Sequence, residues 1–178
     1  MRLTLFVVTC AFIVSSCSRL NEEELFQTAQ TAYQQNNAQE ALEKLQELVE
    51  RFPGGNHAEA ARFFIARVYS VDLHDFQKAI SAYCKYRELF PDSVRASTAL
   101  FSIGFIYNNE LHQYDSAKAV YEQFLALYPG HEMAASAKFE LETLGKNPDE
   151  LLKPEVTAKE QPRQKVADRT ASARKKKK

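Results

Sequence analysis

Between residues 22 and 145 the apolar positions fall at helical spacing, and the runs they form stop at prolines. In "AISAYCKYRELFP", Ala79, Tyr83, Tyr86 and Phe90 are spaced 4, 3 and 4, the stripe that one face of an α-helix buries. Pro91 ends it, because proline cannot continue the hydrogen-bond ladder and restricts the residue before it. Upstream, "ARFFIARVY" and "TALFSIGFIY" predict further helices, begun after "GGN" and "DS", where Asn56 and Asp92 or Ser93 are the candidate N-caps. The turns between helices read "SVDLHDF" and "NNELHQY". Runs of alternating polarity with hairpin signals are missing, which argues against strands. The pattern predicts seven helices, near 22–36, 38–52, 57–71, 75–90, 94–109, 113–128 and 131–144.

The runs are copies of one unit. Ala41, Ala79 and Ala117 recur at one constant interval, and Pro53, Pro91 and Pro129 keep it, as do Leu45, Tyr83 and Tyr121. Such self-similarity signals a stacked repeat, in which each unit buries its apolar face only against its neighbours. These residues resemble the tetratricopeptide repeat. Its pattern of a small residue, an aromatic, an alanine, an aromatic or leucine, and a proline is matched by Ala66 or Gly104, Tyr69 or Tyr107, Ala79 or Ala117, Tyr83 or Tyr121, and Pro91 or Pro129. The unit is longer than the family's 34: Ala66 to Ala79 is 13 where the family has 12, and Pro53 to Ala66 is 13 where it has 10. Ala29 to Ala41 keeps the family's 12.

The resemblance implies an all-α fold, a right-handed superhelix of three extended helix pairs plus a C-terminal capping helix. The repeats span about 22–55, 56–93 and 94–131, with the cap at 132–145 inside a domain of 22–145. It also implies a concave face lined by the first helix of each pair. Positions carried over from the family place Phe26, Phe63, Phe101 and Phe139 there, with Gln30, Arg67, Phe105 and Thr143, and Tyr33, Ser70 and Asn108. Rings beside polar groups suit a partner-binding groove. The same spacing equally describes core packing, since Phe64, Ile65 and Val68 make the helix around Phe63 apolar nearly all round.

The N-terminus has a different pattern. Arg2 precedes an apolar run from Leu3 to Val14, the layout of a secretory signal spanning 1–16. It is shorter than the roughly 20 apolar residues of a membrane-spanning helix. Val14-Ser15-Ser16-Cys17 resembles the bacterial lipobox, which implies an acylated Cys17 followed by a short linker, 17–21. The alternative is an ordinary signal with Cys17 there by coincidence.

Charge divides the chain. Residues 1–145 carry 12 Lys+Arg against 18 Asp+Glu, and residues 146–178 carry 11 against 5, so −6 faces +6. The segment 146–178 has three prolines, no aromatics and a lysine run at Lys175, Lys176, Lys177 and Lys178. It is too polar to bury a core and is expected to be disordered. Its partners would be an anionic polymer or lipid, or it simply aids solubility. Nucleic acid is not expected for an exported chain.

Catalytic chemistry is not visible. His57, His74, His112 and His131 are far apart in sequence, so no two stand at the i, i+4 spacing of a helical ligand pair. Phosphate loops, nucleophile elbows and Cys-x-x-Cys pairs are also lacking. The expectation is no enzyme, cofactor or metal. Cys84 reads as a helix-packing residue. Lipobox and repeats together resemble BamD-like outer-membrane lipoproteins and the repeat domain of Tol–Pal-associated YbgF/CpoB proteins. The resemblance implies a scaffold anchored to the outer membrane, facing the periplasm, with periplasmic or outer-membrane proteins as partners. The rival readings are an envelope tether acting through the lysine tail, and an accessory to an enzyme encoded elsewhere.

Overall fold

A computed structural model describes residues 20–146. The expected signal, Cys17 and the lysine-rich tail lie outside the described residues. Seven α-helices follow: α1 Glu22–Gln34, α2 Ala38–Arg51, α3 Ala58–Arg67, α4 Phe76–Leu89, α5 Arg95–Phe105, α6 Tyr114–Leu127 and α7 Ala134–Thr143. No strand occurs among the described residues. Neighbours in sequence are neighbours in space: α1 packs on α2, α3 on α4 and α5 on α6, with α7 against α6. The fold is all-α and of the tetratricopeptide type.

Local chemistry sets the helix starts. Asn21 and Glu24 form a reciprocal capping box at α1, with Glu24 N to Asn21 Oδ1 at 2.9 Å and Asn21 N to Glu24 Oε2 at 2.8 Å. Asn37 and Asp75, equivalent positions in successive repeats, cap α2 and α4 by accepting the N–H of Glu40 and Lys78. The expected caps at Asn56 and Asp92 are not used. Here α3 and α5 begin at Ala58 and Arg95 without a side-chain cap at the flanking residue, because a tight turn already carries the backbone into the helix. Ser93 does accept the Arg95 N–H at 3.1 Å.

Part of the lengthening, the one residue added between Ala66 and Ala79, has a local cause. In the first copy, Asn37 N reaches back to Ala32 O, five positions away. The equivalent bonds, Asp75 N to Tyr69 O and Gln113 N to Tyr107 O, span six. The added residue is absorbed in one π-helical turn at the end of α3, Val68–Asp72, and of α5, Ile106–Glu110. Each copy then reverses at a residue of positive φ, Asn36 (60°), His74 (51°) and His112 (52°), which share one repeat position. Asparagine and histidine tolerate this left-handed region better than most side chains. The two histidines thus serve the turn.

Three core clusters run along the stack. The first centres on Ala29, Leu45 and Leu48, the second on Ala66, Tyr83 and Tyr86, and the third on Ala117, Tyr121 and Phe124. In each pair a small residue of the first helix lies against a large one of the second. Gly104 shows how tight this is: a Cβ there would stand 2.8 Å from Tyr121 Cε1. Cys84, next to Tyr83, falls on the outer side of α4 and is exposed. It is therefore not a packing residue, because the buried stripe of α4 is Ala79, Ile80, Tyr83 and Tyr86.

Two substitutions test this packing. Gly104→Ala gains about 1 kcal/mol of helix propensity but forces a methyl into Tyr121, and overpacking costs about 1–3 kcal/mol. The expected net loss is about 1 kcal/mol, the difference between those two effects, read as a lower urea midpoint. Tyr121 is fully buried and its hydroxyl has no partner. Removing an unsatisfied polar atom relieves a desolvation cost, so Tyr121→Phe is expected to leave the midpoint unchanged or raise it.

Candidate functional site

The first helices of the first two pairs and the start of α5 line an open hollow of about 420 Å³. Gln30, Tyr33 and Gln34 come from α1, Ala60, Phe63, Phe64 and Arg67 from α3, and Arg95 opens α5. The Arg67 guanidinium lies over the rings of Tyr33 and Phe64, at 5.1 and 5.2 Å. Those rings meet edge to face at 4.9 Å. Arg95 lies 6.0 Å from the Phe63 ring. A cation near the face of an aromatic ring is held by the ring's quadrupole, and the edge-to-face contact of two rings is favoured for the same reason.

Of the eleven positions carried over to the concave face, Gln30, Tyr33, Phe63 and Arg67 line this hollow. The phenylalanine ladder is otherwise shared out. Phe26 stacks on His57 at 4.6 Å. Phe63 also meets Tyr83 and Tyr86 edge-on, at 5.7 and 5.2 Å. Phe101 lies against Tyr121 and Phe124. The residues His57, Arg95 and Met133 hold one repeat position, and accompany Phe26, Phe63 and Phe101 in turn. Each of these rings thus packs between its own pair and the helix that follows. Phe139 is 57 % exposed, since no described helix follows α7. Phe105 is 42 % exposed. Asn108 is buried and donates from Nδ2 to Glu140 Oε2 at 2.7 Å, tying the end of α5 to α7.

A polar latch recurs at the start of each first helix. Glu22, Glu59 and Ser97 occupy one register, and each bonds to the turn after its own pair. Glu22 Oε1 accepts the His57 N–H at 2.6 Å, and a Cβ on Gly55 would land on its carboxylate. Glu59 Oε1 accepts from Ser93 Oγ at 2.6 Å and Tyr86 Oη at 2.8 Å, with Arg95 at 3.5 Å. Ser97 Oγ meets His131 Nε2 at 3.0 Å. His131 Nδ1 accepts the Met133 N–H, which assigns the proton to Nε2 in the neutral ring. The hydrogen bonds from Ser93 and then Tyr86 hold the Glu59 carboxyl below the usual carboxylate range, and the Arg95 charge adds to this.

Among the described residues, no three His, Cys, Asp or Glu side chains are grouped to hold a metal, and no helix is long and apolar enough to cross a membrane. The carried-over positions missed Gln34, Ala60, Phe64 and Arg95 in the hollow. Phe64 was visible only as an apolar neighbour, and Arg95 enters from the next repeat.

Comparison with known families fits this geometry. Residues 19–73 match the model of the YfiO family, described as an outer membrane lipoprotein, and residues 98–131 match the tetratricopeptide repeat. No curated protein matches the chain significantly. The chain is therefore similar to the lipoprotein family over its first repeat and the first helix of the second, and to the tetratricopeptide repeat over its third.

The latch predicts an acid dependence. Glu59's folded pKa is depressed, so its contribution is complete above the unfolded value of about 4.3 and is lost as pH falls through the folded value. Thermal midpoints are expected to drop below about pH 4, and Glu59→Gln should flatten part of that drop. Glu23 and Asp75 are also shifted down, first by hydrogen bonds from Gln27 and Lys78 respectively, and act in the same direction.

Proposed function

We propose that this chain is a non-enzymatic protein-interaction scaffold, anchored through acylated Cys17 to the outer membrane and facing the periplasm. It would hold a segment of a periplasmic or outer-membrane protein, in outer-membrane protein assembly or envelope maintenance. The observation that carries the reading is the hollow formed by Tyr33, Phe63, Phe64 and Arg67 across two repeats. Its volume suits a few side chains of a docked segment. The match of residues 19–73 to an outer membrane lipoprotein family supports the location.

The start of the domain supports a short tether. Arg51 Nη2 donates to Leu20 O at 2.8 Å, and Leu20 packs on the first core. Cys17 stands three positions before this fixed point, a reach of about 10 Å at full extension. Acyl chains contribute about 0.8 kcal/mol per buried CH₂, so two or more hold a chain firmly on a bilayer. The repeats would then lie beside the membrane.

The charge split favours a second reading, an envelope tether whose Lys175–Lys178 run grips cell-wall polymer or anionic lipid. Truncation after Gly145 separates the two. The scaffold keeps its crosslinked protein partner, whereas the tether loses its envelope association.

Cys17→Ser is expected to abolish palmitate incorporation and release the chain from the membrane fraction. Tyr33→Ala is expected to remove the crosslinked partner from membrane preparations while circular dichroism keeps its helical signal. An unchanged crosslink would reject the hollow as the docking site.

A further inference from the structure

We infer that the occupant of the hollow is an internal acidic segment of its partner, with carboxylate side chains set beside apolar ones. This rests on the hollow being the docking site proposed above. Residues 22–145 carry 10 Lys+Arg and 18 Asp+Glu, a net −8. Against that background the wall of the hollow holds two arginines and no carboxylate. Surface composition alone would place more acids than bases around any concavity of this domain, and here the order is reversed.

The two guanidiniums differ in what they already hold. Arg95 is 3.5 Å from Glu59, a carboxylate whose same oxygen already accepts from Ser93 and Tyr86. Arg67 makes no ion pair among the described residues. Its guanidinium carbon lies 5.1 Å from the centre of the Tyr33 ring and 5.2 Å from that of Phe64. The side chain is exposed and makes no hydrogen bond among the described residues, so its N–H groups can bind a carboxylate through two parallel hydrogen bonds. The neighbouring rings would take the apolar side chain next to that carboxylate, and the amides of Gln30 and Gln34 would meet its backbone. An acidic segment is repelled by the rest of the domain and attracted here, so the charge pattern sets the docking position as well as contributing to affinity.

The test uses the full-length chain and fluorescence anisotropy with pools of end-capped twelve-residue peptides built from Asp, Glu, Phe and Leu. The comparison pool carries Asn and Gln in place of the acids. The acidic pool is expected to bind about tenfold more tightly at low salt, and about 0.5 M salt should erase most of that margin, since charges more than a few ångströms apart are then screened. Arg67→Gln is expected to weaken acidic binding about fivefold or more, a loss typical of one charge-assisted contact. Arg67→Lys should restore only part, because a lysine cannot make the paired contact. Circular dichroism confirms that each variant is folded.

Equal binding of both pools, with Tyr33→Ala abolishing it, would overturn the acidic chemistry and leave the docking site standing. Acidic binding unchanged by both Tyr33→Ala and Arg67→Gln would overturn the chemistry and the site together. Failure of the acidic pool to bind at all overturns the inference. Binding that requires a free terminal carboxylate, seen only with uncapped peptides, overturns it as well.

Discussion

The fold depends on one contact, a small residue on the first helix of a pair seated under a large one on the second. Ala29 and Leu45, Ala66 and Tyr83, and Gly104 and Tyr121 are its three versions. The small residue lets the helices approach closely. The large residue fills the space between them, and Tyr121 is wholly buried there. Burial of apolar surface is worth about 25 cal/mol per Å², and a void at this seam would forfeit both that and the dispersion contacts around it. The hollow follows from the seam. Fixing each pair's geometry turns the outer faces of α1 and α3 toward the same space, where Tyr33 and Phe64 meet.

Around that constant contact the copies have diverged in chemistry while keeping their geometry. The latch is a carboxylate on a backbone amide in the first copy, a carboxylate on two hydroxyls in the second, and a serine on a histidine in the third. The residue beside the phenylalanine is histidine, then arginine, then methionine. Positions that meet only within one repeat are free to change as a set. Arg95 shows the consequence: the second version of this position brings a cation to the edge of the hollow, which neither histidine nor methionine would do in the same way.

Much of the fold was legible because its signals are local. Helical spacing, the prolines and the constant repeat register need no knowledge of neighbours, and the helices begin and end within a few positions of the expected limits. The π-helical turns were legible only as a lengthened interval, Ala66 to Ala79 set against Ala29 to Ala41, since sequence does not show where an extra residue will be taken up. The direction of the phenylalanines was harder. A helix apolar on most sides, such as α3, gives no single stripe, and the rings of Phe26, Phe63 and Phe101 turned out to serve packing between helices as well as any surface. Cys84 lay one position from a buried tyrosine, where a rotation of about 100° separates inside from outside. In the hollow, Phe63 and Arg67 were reachable by position, whereas Arg95 required knowing which repeat comes next in space.

The stack is also asymmetric along its length. Each layer leans only on the layers beside it, and among the described residues α7 packs on α6 without a paired helix of its own, whereas α1 is paired with α2; Phe139 of α7 is exposed. In such a linear array, opening starts where neighbours are fewest and moves inward. Amide protons of α7 would therefore exchange with solvent ahead of those in α3 and α4, giving the domain a graded melting order that sets out from its C-terminal end.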